Sequence, residues 1–225
     1  MTDRLLLVRH GVTDWNRDGR FQGHLDARLA DEGRLEARIL GQRLRDEEGE
    51  LAIVTSPLSR AAETATLIAE EFPTGRRPTV GFDPRLVEIG QGEWEGRTHA
   101  ELAVEDAERY AAWRARAGID QPPGGETIDH ALARVTAAVD ELASGTMAVL
   151  CLVSHGGILR LFARHLLGLD GRLAWGMDVD NASLSVLERL RDADGWRLAR
   201  WNDTGHLLGR TRQHVDESDG EPLAL

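Results

Sequence analysis

The stretch Leu5-Leu6-Leu7-Val8-Arg9-His10-Gly11 decides the fold. An apolar run that stops at an Arg-His-Gly turn reads as a buried parallel strand ending in a functional loop. In open α/β sheets, ligands sit at the carboxyl ends of the strands. The sequence therefore places an imidazole, a guanidinium and a glycine where such folds do their chemistry. The same grammar returns late in the chain, where Val149-Leu150-Cys151-Leu152-Val153 runs into Ser154-His155-Gly156-Gly157. A histidine at each of these strand ends predicts one site built from both.

Working outward, further β-prone runs occur at Leu51–Thr55, Thr79–Phe82, Leu184–Leu187 and Trp196–Trp201. Helical spacing lies between them. Ala61, Ala65, Ile68 and Phe72 are spaced 4, 3, 4, and Ile128, Leu132, Val135, Val139 and Leu142 are spaced 4, 3, 4, 3. Each series keeps one face apolar. Asp31–Glu48 matches through Leu35, Ile39, Leu40 and Leu44, and Gly157–Leu167 through Ile158, Leu161, Phe162 and Leu166. Strands alternating with helices predict an α/β fold, a doubly wound, mostly parallel sheet flanked by helices. Residues 1–225 read as one domain. The strandless segment 96–126, with Tyr110 and Trp113, reads as a helical lid insertion. The acidic tail 216–225 reads as mobile.

The chain has 225 residues, 41% of them hydrophobic, enough for a sizeable core. Its net charge of −11 argues against a nucleic-acid or membrane-surface partner. A local cluster of arginines can still hold an anion. A single cysteine, Cys151, allows no intrachain disulfide. The short apolar run before Arg9 is neither a signal-peptide core nor a membrane span. A cytoplasmic location is the expectation, and a homodimer is left open.

Other polar residues fall at strand ends. Thr55-Ser56-Pro57-Leu58-Ser59-Arg60 follows the second strand and opens a helix, with Pro57 and Ser59 as start signals. Arg60 then lies in the first turn, where an anion is favoured. Glu88 follows the third strand, and Asn16, Gln22 and Gly23 lie on the loop after His10. Taken singly, each has a plainer reading: His10 a loop residue, Arg60 an ion-pair residue, Glu88 a solvated carboxylate, and Trp94, Tyr110 and Trp113 a lid core. No Gly-x-Ser-x-Gly, no His-Glu-x-x-His and no histidine spacing suited to a metal occurs. No metal and no cofactor is expected.

In order along the chain, several segments together resemble the histidine phosphatase (phosphoglycerate-mutase-like) superfamily, in its phosphatase branch. They are Arg9-His10-Gly11-Val12-Thr13-Asp14-Trp15-Asn16, Phe21-Gln22-Gly23, Ser56-Pro57-Leu58-Ser59-Arg60, Glu88 with Gly92-Glu93-Trp94-Glu95-Gly96, Gly124-Gly125-Glu126-Thr127, Ser154-His155-Gly156-Gly157 and Asn202-Asp203-Thr204-Gly205-His206-Leu207. The resemblance implies a metal-independent phosphoric monoester hydrolase of the histidine acid phosphatase type, acting on a small phosphosugar or phosphoglycerate derivative. It implies His10 as the nucleophile that becomes phosphohistidine. Arg9, Arg60 and a protonated His155 would surround the phosphoryl oxygens, supplying the charge neutralisation that such transfer needs. Asn16 would donate an amide, Gly156 would help bind phosphate, and Gln22 and Gly23 would line the entrance. Glu88 would protonate the leaving oxygen and then activate water. The alternative is a cofactor-dependent phosphoglycerate mutase. Such mutases carry a longer and more basic insertion after the acid residue; here Arg97, Arg109, Arg114 and Arg116 are set against Glu101, Glu105, Asp106, Glu108, Asp120 and Glu126.

Overall fold

The computed structural model describes residues 1–47, 50–116, 120–191 and 194–208. The tail expected to be mobile, 216–225, lies outside the described residues, as does Glu48 at the end of the second expected helix. Six strands form one sheet in the order β3-β2-β4-β1-β5-β6. They are β1 (Arg4–Arg9), β2 (Ala52–Thr55), β3 (Val80–Phe82), β4 (Val149–Ser154), β5 (Leu184–Arg189) and β6 (Trp196–Asp203). β1, β4, β2 and β3 are parallel, whereas β5 adds antiparallel to β1 and β6 antiparallel to β5. The expected mostly parallel sheet is therefore present, with an antiparallel pair at one side.

Side-chain alternation along the central strands explains the double winding. Leu5 and Leu7 of β1, with Leu150 and Leu152 of β4, face one layer of helices. That layer is α6 (Ile128–Ala143) and α7 (Gly156–Leu167). Leu6, Val8, Cys151 and Val153 face the other layer. That layer is α2 (Asp31–Glu47) and α3 (Ser59–Glu70). Both strands are buried on both faces, which is why they read as continuous apolar runs. Short helices α1 (Asp14–Arg17), α4 (His99–Glu105), α5 (Ala107–Ala115) and α8 (Gly171–Trp175) decorate the carboxyl-end loops. No described helix is long and apolar enough to cross a membrane.

Two local expectations are corrected. Leu35 does not face the core: it is exposed, and α2 buries Gly33, Ala37, Leu40, Gly41 and Leu44 instead. Small residues there bring the helix axis close to its neighbours, so the buried stripe is rotated. Nor do Pro57 and Ser59 cap α3. Leu58 is the extended cap residue without a side-chain bond, and the Ser59 N–H donates to Asp26 Oδ1 at 2.8 Å. In the segment expected to be a lid, α4 and α5 rest on a small core of Phe21, Trp94, Leu102, Tyr110 and Trp113. Its aromatic rings meet mostly edge to face, and Trp94 Nε1 donates to Asp106 Oδ2. The lid aromatics are thus core.

Candidate active site

Strand register builds the site. Arg9 pairs with Ser154 across β1 and β4, so both strands end level, and the His10 N–H donates to the Ser154 carbonyl at 3.0 Å. The His10 and His155 rings then lie 5.2 Å apart, centroid to centroid. β2 ends level with them, Thr55 against Val153, and delivers Ser56 and Arg60. The Glu88 loop is fastened over the same edge, because Ser154 Oγ donates to the Leu86 carbonyl at 2.8 Å. Ser154 is therefore a structural hydroxyl. Each Glu88 oxygen accepts a backbone N–H: Oε1 from Ile89 at 2.9 Å and Oε2 from Gly157 at 3.3 Å. A Cβ on Gly157 would sit 2.6 Å from Glu88 Oε1, so only glycine admits the carboxylate there.

His10 is 2% exposed, and its Nδ1 lies 2.8 Å from the Gly11 carbonyl. A carbonyl only accepts, so Nδ1 carries the hydrogen and Nε2 keeps its lone pair. Burial, then Arg60 and Arg9, hold the His10 pKa well below the ordinary histidine value. The ring is neutral, as a nucleophile must be. His155 is fully buried and its pKa is also held well below the ordinary value, by burial, Arg60, His10 and Arg9. Beside two guanidiniums this buried imidazole is neutral, whereas the resemblance implied a protonated ring around the phosphoryl oxygens.

Arg60 is fully buried in the first turn of α3 and donates to the Gly23 and Leu25 carbonyls at 2.8 and 2.9 Å. Burial lowers its pKa to about 10, which leaves it charged at neutral pH. Gly23 is thus a backbone anchor for Arg60. Arg9 donates from Nη1 to the Val179 carbonyl at 2.6 Å. Asn16 Oδ1 accepts from the Thr13 N–H, Thr13 Oγ1 and Asn181 Nδ2, which turns its amide nitrogen into the available donor. Gln22 is buried beside Gly23 in the chain. Four buried atoms of these residues have no hydrogen-bond partner: Arg9 Nε, Arg60 Nε, His155 Nδ1 and Gln22 Oε1. Each such atom costs ~1–3 kcal/mol when left unmade. Three of them, Arg9 Nε, Arg60 Nε and His155 Nδ1, are nitrogens that can donate, whereas Gln22 Oε1 only accepts.

Several contributing residues lie outside the motifs that the sequence offers. Arg160 is a third buried guanidinium, and a Cβ on Gly156 would lie 3.5 Å from Arg160 Nη1 and 3.6 Å from Arg9 Nε. It donates to the Met177 carbonyl and covers the Trp175 ring. An arginine among the apolar residues of α7 was the available clue. Asn181 donates to the His10 carbonyl at 3.0 Å and to Asn16 Oδ1 at 3.3 Å, bracing the nucleophile loop. Arg134 donates to the carbonyls of Arg85, Val87 and Glu88 and pairs with Glu126, and His24 Nε2 also donates to the Glu88 carbonyl. Beside this brace opens a cleft lined by His24, Glu95, Glu126 and His130. Among the described residues no group of three or more His, Cys, Asp or Glu is arranged to hold a metal ion.

Known proteins resemble this chain in sequence and in fold. Residues 5–204 match the model of the histidine phosphatase superfamily (branch 1). Phosphoglycerate mutase-like protein 4 of Arabidopsis thaliana is 32% identical over 90% of this chain and 86% of its own length. A metal-independent phosphoserine phosphatase of Arabidopsis thaliana is 34% identical over 90% of this chain and 82% of its own length. The solved structure of a mycobacterial glucosyl-3-phosphoglycerate phosphatase with VO3 superimposes with a TM-score of 0.79 at 32% identity, covering 90% of this chain and all of that one.

Proposed function

The chain belongs to the histidine phosphatase superfamily, and on that premise we propose that it is a metal-independent, cytoplasmic phosphomonoesterase using His10 as nucleophile. The observation that carries this reading is the set of unpartnered buried atoms on Arg9, Arg60 and His155 around a neutral His10. His10 Nε2 attacks phosphorus, the P–O bond to the leaving group breaks, and Glu88 in its acid form gives that oxygen a proton. Water then loses a proton to the Glu88 carboxylate and attacks phosphorus. The P–N bond breaks, and inorganic phosphate and neutral His10 are released. Arg9 and Arg60 neutralise the phosphoryl charge throughout, as transfer chemistry requires. The chain is read as one catalytic domain, with 96–126 as the lid that borders the leaving group. The leaving group belongs to a small metabolite, a phosphosugar or phosphoglycerate derivative. The similar glucosyl-3-phosphoglycerate phosphatase supports that range, and the similar phosphoserine phosphatase supports a small phosphomonoester more broadly.

The lid favours hydrolysis over mutase chemistry. A mutase needs a second anion site for a bisphosphate. Here Arg97 pairs with Glu105, Arg109 with Asp106 and Glu93, and Arg116 with Asp120. These partners neutralise the charge that a second phosphate would need. A screen of phosphomonoesters in EDTA should show release of inorganic phosphate. With 3-phosphoglycerate and catalytic 2,3-bisphosphoglycerate, no 2-phosphoglycerate should accumulate. Interconversion faster than phosphate release would replace this reading with the mutase; activity lost in EDTA and restored only by a divalent metal would refute metal independence.

A further inference from the structure

The neutral state of His155 raises a question that the reading above leaves open: how an imidazole without charge assists an anion. Its environment answers it. His155 Nε2 lies 2.9 Å from Ser56 Oγ, and both residues are fully buried. Ser56 Oγ also accepts the Leu58 N–H at 3.3 Å. The serine hydrogen has no other recorded acceptor among the described residues, whereas Nε2 offers one. A hydroxyl donates one hydrogen and accepts through two lone pairs. If Nε2 carried the hydrogen, Ser56 would accept twice and its own hydrogen would be buried unpaired. The remaining nitrogen, Nδ1, would present a lone pair to an anion. If Ser56 instead donates to Nε2, the serine hydrogen and the Nε2 lone pair satisfy each other, so one buried polar group is left unmet instead of two: Nδ1–H, which is free to donate. Nδ1 is the atom of this ring without a protein partner.

We propose that Ser56 is a positioning residue that sets the proton on His155, making Nδ1–H a neutral donor to the phosphoryl group. This rests on the phosphatase reading for its role, but not for its geometry. Both active-site rings then carry the same tautomer and turn opposite ends to the substrate. His10 spends its Nδ1–H on the Gly11 carbonyl and offers a bare Nε2. His155 spends its Nε2 lone pair on Ser56 and offers Nδ1–H. One ring attacks and the other donates, with no charge on either. The Ser56 hydroxyl can rotate to accept from Nε2, so it also accommodates a proton that arrives with the phosphate dianion.

The test is long-range ¹H–¹⁵N correlation of the full chain with ¹⁵N-labelled histidine at neutral pH, with signals assigned from His10→Gln and His155→Gln. His10 and His155 should both show the Nδ1–H tautomer. In Ser56→Ala the Nε2–H form of His155 should grow in while His10 stays unchanged. Affinity for inorganic phosphate should fall about tenfold in Ser56→Ala, as expected for a lost or misdirected hydrogen bond, and Ser56→Thr should restore it. An Nε2–H tautomer at His155 in the native protein would overturn the proposal, even if no serine variant folds. So would a His155 tautomer unaffected by Ser56→Ala. Absence of a phosphohistidine on His10 would sink the phosphatase reading instead, and would leave the measured tautomers standing.

Discussion

A half-buried carboxyl sits behind the nucleophile loop. Glu36 Oε2 accepts the Val12 N–H at 2.9 Å, and burial raises its pKa to about 7. Its folded-state pKa lies above the unfolded value, so its contribution to stability is complete below the unfolded pKa of about 4.3 and fades as pH rises through about 7. His10 and His155 act in the opposite direction. Their folded pKa values lie below the unfolded one, so the unfolded chain takes up protons first and stability falls as pH drops below about 6.5. Glu36→Gln should therefore stabilise the protein at pH 8 by on the order of 1 kcal/mol, with little change at pH 5. The acid-side loss should persist in the variant, because the histidines cause it. Denaturant unfolding at the two pH values measures this, and a variant equally destabilised at both would contradict the assignment.

Elements meet here by backbone approach. A Cβ on Gly33 would lie 2.2 Å from the Val12 carbonyl, and one on Gly11 would lie 2.4 Å from the Gly33 carbonyl. Glycine inside α2 costs about 1 kcal/mol relative to alanine, yet it lets the helix touch the nucleophile loop. Gly33→Ala should thus lower the melting temperature despite its better propensity, and should slow turnover at least about tenfold because the loop must shift. Calorimetry and steady-state rates test both; a more stable and fully active variant would show that the contact is slack. This also explains which parts were legible in the sequence. β1 and β4 announced themselves because strands buried on both faces cannot hide polar residues. The ordered motifs led to Arg9, His10, Arg60, Glu88 and His155. Asn181, Arg134 and Gly33 were not legible, because their roles exist only across long chain separations. Leu35 misled because periodicity records which residues are apolar, not which side of a helix its small residues allow to approach. The charge state of His155 depended on neighbours that only folding supplies.

At the scale of the molecule, an acidic chain with a net charge of −11 buries the guanidiniums of Arg9, Arg60 and Arg160 at the carboxyl edge of its sheet. Buried cations are costly unless something anionic compensates them. Carbonyls hold each of them in place, and the substrate phosphate is the proposed compensation. A net negative chain keeps that positive potential local, which favours the small anion of the proposed function over a polyanionic surface. Helices α4 and α5 rest on their own aromatic core, apart from the strand-end residues proposed to hold phosphate, which is why the proposed lid can vary with the substrate while the phosphoryl chemistry stays fixed. The most direct test of this account is to quench a single turnover with ³²P-labelled substrate at alkaline pH and to map the labelled residue. The account predicts phosphate on His10 Nε2, stable to alkali, lost in acid and absent from His10→Ala. Label on any other residue, or full turnover by His10→Ala, would contradict it.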